Sequence, residues 1–371
     1  AIVRFQYFTK HKAPEAISDD LGLPLERIIT ICDLLTKYPQ KSDNEIAEYF
    51  IKDTTTKIIE QILSEHREND VQLCFSDNGS TDGTKDIIEE MKRKYPTINF
   101  KINYFGENRG LDANHEQVMK MADGEWSILK GDDDYLMDGG LNKIFNLLDQ
   151  NQDVDVIVSS PIGMSPELKP LQPIYFLREE VESLKVNFKD EMAMRNYFLL
   201  CNNILGLGTF ISSVIYRTEA VKNVEAPVAL KGCFYMSLFF YWNFLSKGKT
   251  LMYSKESYLY AMMPYASPYA SGVKRDAIDF RAIYEVGDRL LPENLKYDFY
   301  QVCNRMYKYY SYIPRDQRKD FDKYLKPYLL KMKHPMANEI IRNTSSMIYL
   351  KLFIASLLSS KQVCRLKNTF K

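Results

Sequence analysis

The sequence predicts an α/β fold, a mainly parallel central sheet flanked by helices, followed by a mostly helical C-terminal region. Three observations carry this. Between about residues 28 and 160, short β-rich apolar runs alternate with amphipathic segments at helical spacing, the pattern of βαβ units. Polar, glycine-containing turns fall just after the strands, where the ligands of parallel sheets bind. Beyond residue 277 the strand signals fade, and helical stretches are broken at Pro292, Pro314, Pro327 and Pro335.

Taken in order, Ile28–Cys32 reads as a strand, and Asn44–Arg67 as a long amphipathic helix with Ile46, Tyr49, Phe50, Ile58, Ile59, Ile62 and Leu63 at helical spacing. Val71–Ser76 is the second strand, Thr84–Lys94 a helix with Ile87, Ile88 and Met91 on one face, and Phe100–Phe105 the third strand. Leu111–Ala122 and Gly139–Gln150 are helices, and Trp126–Leu129 and Val154–Ser159 are strands. Pro161–Pro173 holds four prolines and reads as a loop. Leu177–Leu200 looks helical and Thr209–Tyr216 extended. Phe234–Leu245 is apolar on most faces, so it should be a buried helix. This divides the chain into an N-terminal extension (1–27), a catalytic-type domain (28–270, with halves 28–160 and 161–270) and a helical region (271–371).

Composition excludes several classes. Lys+Arg and Asp+Glu are 49 each, so net charge is zero and a strongly basic nucleic-acid binder is not expected. The balance is uneven: 13 basic against 4 acidic residues lie from Arg315 to Lys371, leaving an acidic body and a basic tail. The six cysteines form no CxxC pair, and with only four histidines no zinc-type site is expected. Scattered cysteines in apolar surroundings read as reduced thiols of a cytoplasmic protein. No signal-peptide pattern opens the chain and no apolar run reaches the ~18 residues of a membrane span, so neither is expected.

Three clusters carry chemistry. Ser76-Asp77-Asn78-Gly79-Ser80-Thr81-Asp82-Gly83-Thr84 ends a strand, and a carboxylate held there, Asp77, can accept from a base N–H or a ribose hydroxyl. The same turn could simply cap the next helix through Thr81 or Asp82. Asn108-Arg109-Gly110-Leu111-Asp112-Ala113-Asn114-His115 opens a helix, where Arg109 suits a diphosphate. Lys130-Gly131-Asp132-Asp133-Asp134 sets three carboxylates after an apolar strand. Such charges repel unless they are solvated or share a cation, as a hard divalent ion does between carboxylate and phosphate oxygens.

Together, FSDNGSTDGT, ENRGLDANHEQVMKMADGEW and SILKGDDDYLMDGGL resemble family 2 glycosyltransferases of the GT-A (Rossmann-like) fold. The resemblance covers about residues 28–260 and is strongest over 71–141. The GDDD form is most similar to the subset that builds bacterial surface polysaccharides, abequosyltransferase-like enzymes included. It implies an enzyme moving a sugar from a nucleotide-sugar donor, a UDP-sugar favoured, to a hydroxyl of a glycan or lipid-linked acceptor, with inversion. It also implies a divalent cofactor, manganese or magnesium. Asp77, Asn78, Ser80, Arg109, Asp112, Asp132 and Asp133 then fall on the donor-binding positions, and Asp134 with Asp132 on the metal.

The sequence departs from the family in three places. The first Asp of the usual DxDD falls on Gly131, and Asp33-Leu34-Leu35-Thr36-Lys37-Tyr38 replaces the segment that cups the base. The acidic pair that supplies the base falls on Met236-Ser237, which leaves Glu225 as the nearest substitute. The missing pair also fits a non-catalytic scaffold or partner subunit. A sugar nucleotidyltransferase is disfavoured, because Cys32–Gln40 has no glycine for a phosphate loop. In the tail, Ser345–Lys371 sets an apolar stripe beside a basic cluster. That suits an anionic membrane surface, on the inner face of the cell membrane, or equally packing on the protein or in a homo-oligomer interface.

Overall fold

The computed structural model describes residues 43–165, 168–233, 235–262 and 282–307. The expected extension (1–27), the strand Ile28–Cys32 and the basic tail Ser345–Lys371 lie outside these residues.

The order is α1 (Asp43–Ser64), β1 (Gln72–Asp77), α2 (Thr84–Lys94), β2 (Asn99–Tyr104), α3 (Leu111–Met121), β3 (Trp126–Ile128), β4 (Tyr135–Leu136), α4 (Gly140–Asp149) and β5 (Val156–Ser159). Then come β6 (Ile162–Met164), β7 (Pro170–Pro173), β8 (Ser183–Asn187), α5 (Glu191–Leu200), β9 (Val214–Arg217), α6 (Met236–Leu245), β10 (Thr250–Ser254) and β11 (Leu259–Met262). Helices at 282–290 (α7) and Glu293–Tyr307 (α8) close the described chain.

β1 and β2 pair in parallel, as the intervening amphipathic helix predicts. The five-stranded sheet runs β3-β9-β5-β10-β8, and a four-stranded sheet runs β4-β11-β6-β7. The expectation of a mainly parallel sheet needs correcting here. In the five-stranded sheet only β5–β10 is parallel, and the other three ladders are antiparallel. The βαβ logic still holds locally: β3 and β5 both run against β9, so they point the same way. β9 is inserted between them by tertiary pairing, which the periodicity of one segment cannot report.

Two more expectations fail for the same reason. Pro161–Pro173 is not a loop but the antiparallel pair β6 and β7, with both β7 prolines on an exposed edge strand, where a missing N–H costs no ladder bond. Leu177–Leu200 is not one helix. Ser183–Asn187 pairs with β10, and α5 begins only at Asp190, whose carboxylate accepts the Met192 and Ala193 amides at 3.0 Å each.

The main core lies on one face of the five-stranded sheet. β5 (VIVS) is buried along its whole length, which fits an unbroken apolar run covered on both faces. α6 is buried nearly all round, as its composition predicts. Trp242 on α6 stands between Phe198 of α5 (centroids 6.0 Å apart), Phe188 (5.2 Å) and Phe299 of α8 (5.1 Å). The helices at 282–290 and Glu293–Tyr307 contribute Ala282, Ile283, Val286, Leu295 and Phe299 to this same core. Arg195 of α5 adds an ion pair to Asp298 at 2.8 Å. Among the described residues no helix is long and apolar enough to cross a membrane.

Candidate active site

The loops after β1 and β2 are knitted together by one side chain. Asn78 donates from Nδ2 to Asn108 Oδ1 (3.0 Å) and to the Gly110 carbonyl (3.1 Å), while its Oδ1 accepts the Arg109 amide (2.9 Å). Gly79 makes the approach possible. Its φ is +71°, and a Cβ there would meet the Glu107 backbone carbon at 2.5 Å. Gly79→Ala is therefore expected to cost about 2–3 kcal/mol, strain and clash together. A thermal melt checks the cost, and a parallel loss of nucleotide affinity is the expected second sign.

Asp77 is buried at the end of β1, and its carboxylate oxygens both accept the Ser80 amide at 3.2 Å. Ser80 itself is exposed. Asp82 accepts the Thr84 amide (3.0 Å) in the turn before α2, but the cap position itself is Gly83, without a side-chain cap, so neither Thr81 nor Asp82 caps the helix. Arg109 is exposed, with its guanidinium 4.5 Å from the Phe105 ring centroid. Asp112, in the first turn of α3, accepts the Gly232 amide at 2.7 Å, which brings the loop before α6 to the same place.

The acidic loop follows β3. Asp132 is exposed, Asp133 half-buried and Asp134 buried. Asp134 accepts Ser212 Oγ at Oδ2 (2.5 Å) and the Met262 amide at Oδ1 (3.2 Å). From beneath, α1 braces the loop: Thr54 Oγ1 donates to the Asp132 carbonyl (2.9 Å) and Tyr135 donates to Asp53 (2.9 Å). Gly131 explains the missing first Asp of the family pattern. A Cβ there would sit 2.9 Å from Asp133 Oδ1 and 3.1 Å from Asp134 Oδ2, so the two carboxylates fill the space a side chain would take.

Crowding shows in the protonation. Burial, then the charges of Asp134 and Asp132, push the Asp133 carboxyl up to about 7. Burial also raises Asp134, against the Ser212 hydrogen bond that favours its charged form. Desolvation lowers the Lys130 ammonium while the three aspartates hold it up. Among the described residues no group of three His, Cys, Asp or Glu is arranged to hold an ion alone. A close carboxylate pair with a raised pKa nevertheless fits a hard cation that takes its remaining ligands from phosphate and water.

His115 belongs to the second motif, whose spacing assigns it no role. It lies on α3 within electrostatic reach of Asp112 and Asp132, so the first turns of α3 face the acidic loop. Burial pushes its imidazole down to about 4, leaving it neutral at pH 7 and a feeble proton acceptor. Ser212 was missed altogether, because the expected strand Thr209–Tyr216 begins only at Val214. Residues Ile211–Ser213 form a 3₁₀ turn instead. Nothing in the segment TFISSVIY marks that turn.

Glu225 is exposed, in the segment between β9 and α6. That segment meets α3 at both ends, with Lys222 Nζ 2.8 Å from the Lys120 carbonyl and the Gly232 amide 2.7 Å from Asp112. Met236 and Ser237, at the position of the family's acidic pair, are each 2% exposed and belong to the α6 core.

Residues 44–202 match the family model described as glycosyl transferase family 2. Abequosyltransferase RfbV of Salmonella typhimurium is 27% identical over 199 residues, 52% of this chain and 58% of that protein. An uncharacterized glycosyltransferase of Mycoplasma pneumoniae is 30% identical over 92 residues, 24% of this chain and 29% of its own length. The chain thus spans less than two thirds of either curated relative. Among solved structures, S. aureus TarS 1–349 superposes with a TM-score of 0.57 at 15% identity, covering 85% of this chain and 89% of that one. The same fragment in complex with UDP-GlcNAc gives 0.56 at 15% identity, with 79% and 80% covered. At that identity the likeness to TarS is one of fold.

Proposed function

We propose that this chain, whose residues 44–202 match the glycosyl transferase family 2 model, transfers a sugar from a nucleotide-sugar donor to a hydroxyl of a glycan or lipid-linked acceptor in surface-polysaccharide synthesis. One observation carries the proposal. The loops 77–80 and 108–112, at the ends of the paired strands β1 and β2, are joined by hydrogen bonds, and His115, on the helix that the second loop opens, lies within electrostatic reach of Asp132 in the acidic loop.

In this reading Asp77, Asn78 and Ser80 border the base and ribose. Arg109 and Asp112 meet the diphosphate and sugar. Asp132, Asp133 and Asp134 make up the acidic loop. Asp133 and Asp132, in place of the expected pair Asp134 and Asp132, would hold a divalent cation, manganese or magnesium, because both Asp134 oxygens already accept protein hydrogen bonds; when bound, the cation offsets the charge gathering on the departing diphosphate. Arg109 adds a fixed positive group to the same end of the donor. A UDP-sugar is the first donor to try, because TarS was solved with UDP-GlcNAc.

The test is a thermal-shift panel of UDP, GDP, CDP and dTDP, each with and without manganese. Stabilisation by one nucleotide, larger with metal, is expected. A flat panel would remove the donor site. The buried Met236 and Ser237 favour a second reading, a scaffold or partner subunit without catalysis. Donor hydrolysis or sugar transfer by the purified chain would exclude it. Inversion, the membrane-facing tail and self-association belong to the proposal and await a stereochemical assay, vesicle binding and sedimentation.

A further inference from the structure

Ser212 lies 81 residues from Gly131 and 78 from Asp134, yet its hydroxyl joins the two. Oγ accepts the Gly131 amide at 2.9 Å and donates its proton to Asp134 Oδ2 at 2.5 Å. Both bonds run in the direction a serine hydroxyl allows, one proton given and one lone pair used. The turn that carries it is held in place by Tyr258, whose hydroxyl donates to the Ser212 carbonyl at 2.9 Å. On the other side, the Met262 amide donates to Asp134 Oδ1 at 3.2 Å. Ser212 is 2% exposed and Asp134 5%, so water offers no substitute for either bond. The turn before β9, the end of β11 and the acidic loop therefore meet at a single buried carboxylate.

The consequence for the three aspartates is a division of roles. Each oxygen of Asp134 already accepts a bond from the protein. Asp133 Oδ1 sits over Gly131, where it blocks a side chain at that position. We propose that Ser212 is the positioning residue of the acidic loop: it makes Asp134 a buried anchor and thereby aims Asp133 as the carboxylate that meets a cation and donor diphosphate. This rests on the donor-site reading above and assigns roles within it that the spacing of the motif does not.

The experiment is titration calorimetry of UDP on the full chain, with and without Mn²⁺, together with Mn²⁺ alone followed by loss of its free-ion EPR signal. Ser212→Ala removes a hydrogen bond to a charged group and should weaken Mn²⁺ binding, and UDP binding in its presence, about tenfold. Metal-free UDP binding should stay within about twofold, because the loops around Asn78 are untouched. Ser212→Thr keeps the hydroxyl and should recover most of the loss. Ser212→Cys keeps the shape with a weaker donor and should fall between, so a poorly folded alanine variant does not end the test. Equal losses with and without metal would mean a merely structural serine and would overturn the assignment, as would wild-type Mn²⁺ affinity in the alanine or cysteine variant. No metal-dependent nucleotide binding by the wild type would instead bring down the donor-site reading itself, and this assignment with it.

Discussion

Asp133→Asn is expected to abolish the metal-dependent part of nucleotide binding, a loss of about a hundredfold or more, with the fold intact. The size follows from the chemistry. An amide keeps the shape and a carbonyl oxygen but loses the charge, and removing one charged ligand from a two-carboxylate cation site costs several kcal/mol. The variant should not unfold the loop, because its anchor is Asp134 through Ser212 and Met262. Calorimetry of UDP with and without Mn²⁺ measures the loss directly. Wild-type metal dependence in the variant would move the cation elsewhere.

The same residue sets a pH dependence whose sign can be worked out. The Asp133 carboxyl stands at about 7 in the folded chain, above the ordinary carboxylate value of 3.8. A raised folded value means that the native state holds the proton more tightly than the unfolded chain does. That contribution is complete below about pH 4 and is lost as pH rises through about 7. Without metal, the wild type should therefore lose stability relative to Asp133→Asn between pH 5 and 8, by an amount on the order of a few kcal/mol. Metal affinity should run the other way, rising with pH up to about 7 as the proton stops competing. Melting curves of both proteins at pH 5, 6, 7 and 8, with and without Mn²⁺, check both signs. Parallel curves for the two proteins would show that the carboxylates do not repel as their spacing requires.

Trp242→Ala is expected to be the most damaging single substitution in the core. Trp242 is 1% exposed, packs edge-on or stacked on three aromatic rings, and donates from Nε1 to the Leu207 carbonyl at 2.9 Å. Truncating such a residue opens a large cavity and leaves a buried carbonyl unpaired, at a cost of about 3–5 kcal/mol. In a chain of this size that is a fall of roughly 10 °C in Tm. Trp242→Phe keeps most of the packing, loses the hydrogen bond, and should cost about a third as much. Because Phe299 of α8 is one of the ring partners, the alanine variant should also loosen residues 282–307, seen as faster proteolysis there. Unchanged protease resistance in that segment would show that the other contacts of α8, among them Phe299 on Phe198 and Arg195 on Asp298, hold it without Trp242.

Several elements were legible because local pattern and tertiary use agree. α2 runs from Thr84 to Lys94 as expected, its apolar face at Ile88 and Met91 buried. α6 was legible because a segment apolar on every side has only one place to go. The polar turns after β1 and β2 were legible because strand ends in an α/β sheet carry such turns with glycine, and Gly79 marks a contact that tolerates no side chain. β6, β7 and β8 were not. Prolines suggested a loop where an edge strand admits them, and a mixed polar segment suggested helix where β10 supplied the partner.

By itself the sequence determined the alternation of strands and helices up to β5, the three polar clusters at their ends and the family they resemble. These depend on local periodicity and on spacing along the chain, which a string of residues records. Only the tertiary structure decided that β9 runs antiparallel between β3 and β5, and that Met236 and Ser237 are buried in the core. It alone decided that Asp134 is tied to a serine 78 residues away while Asp133 is not. Hydrogen bonds, burial and charge repulsion act through space, so the role of each aspartate in a run of three follows from what the fold brings against it.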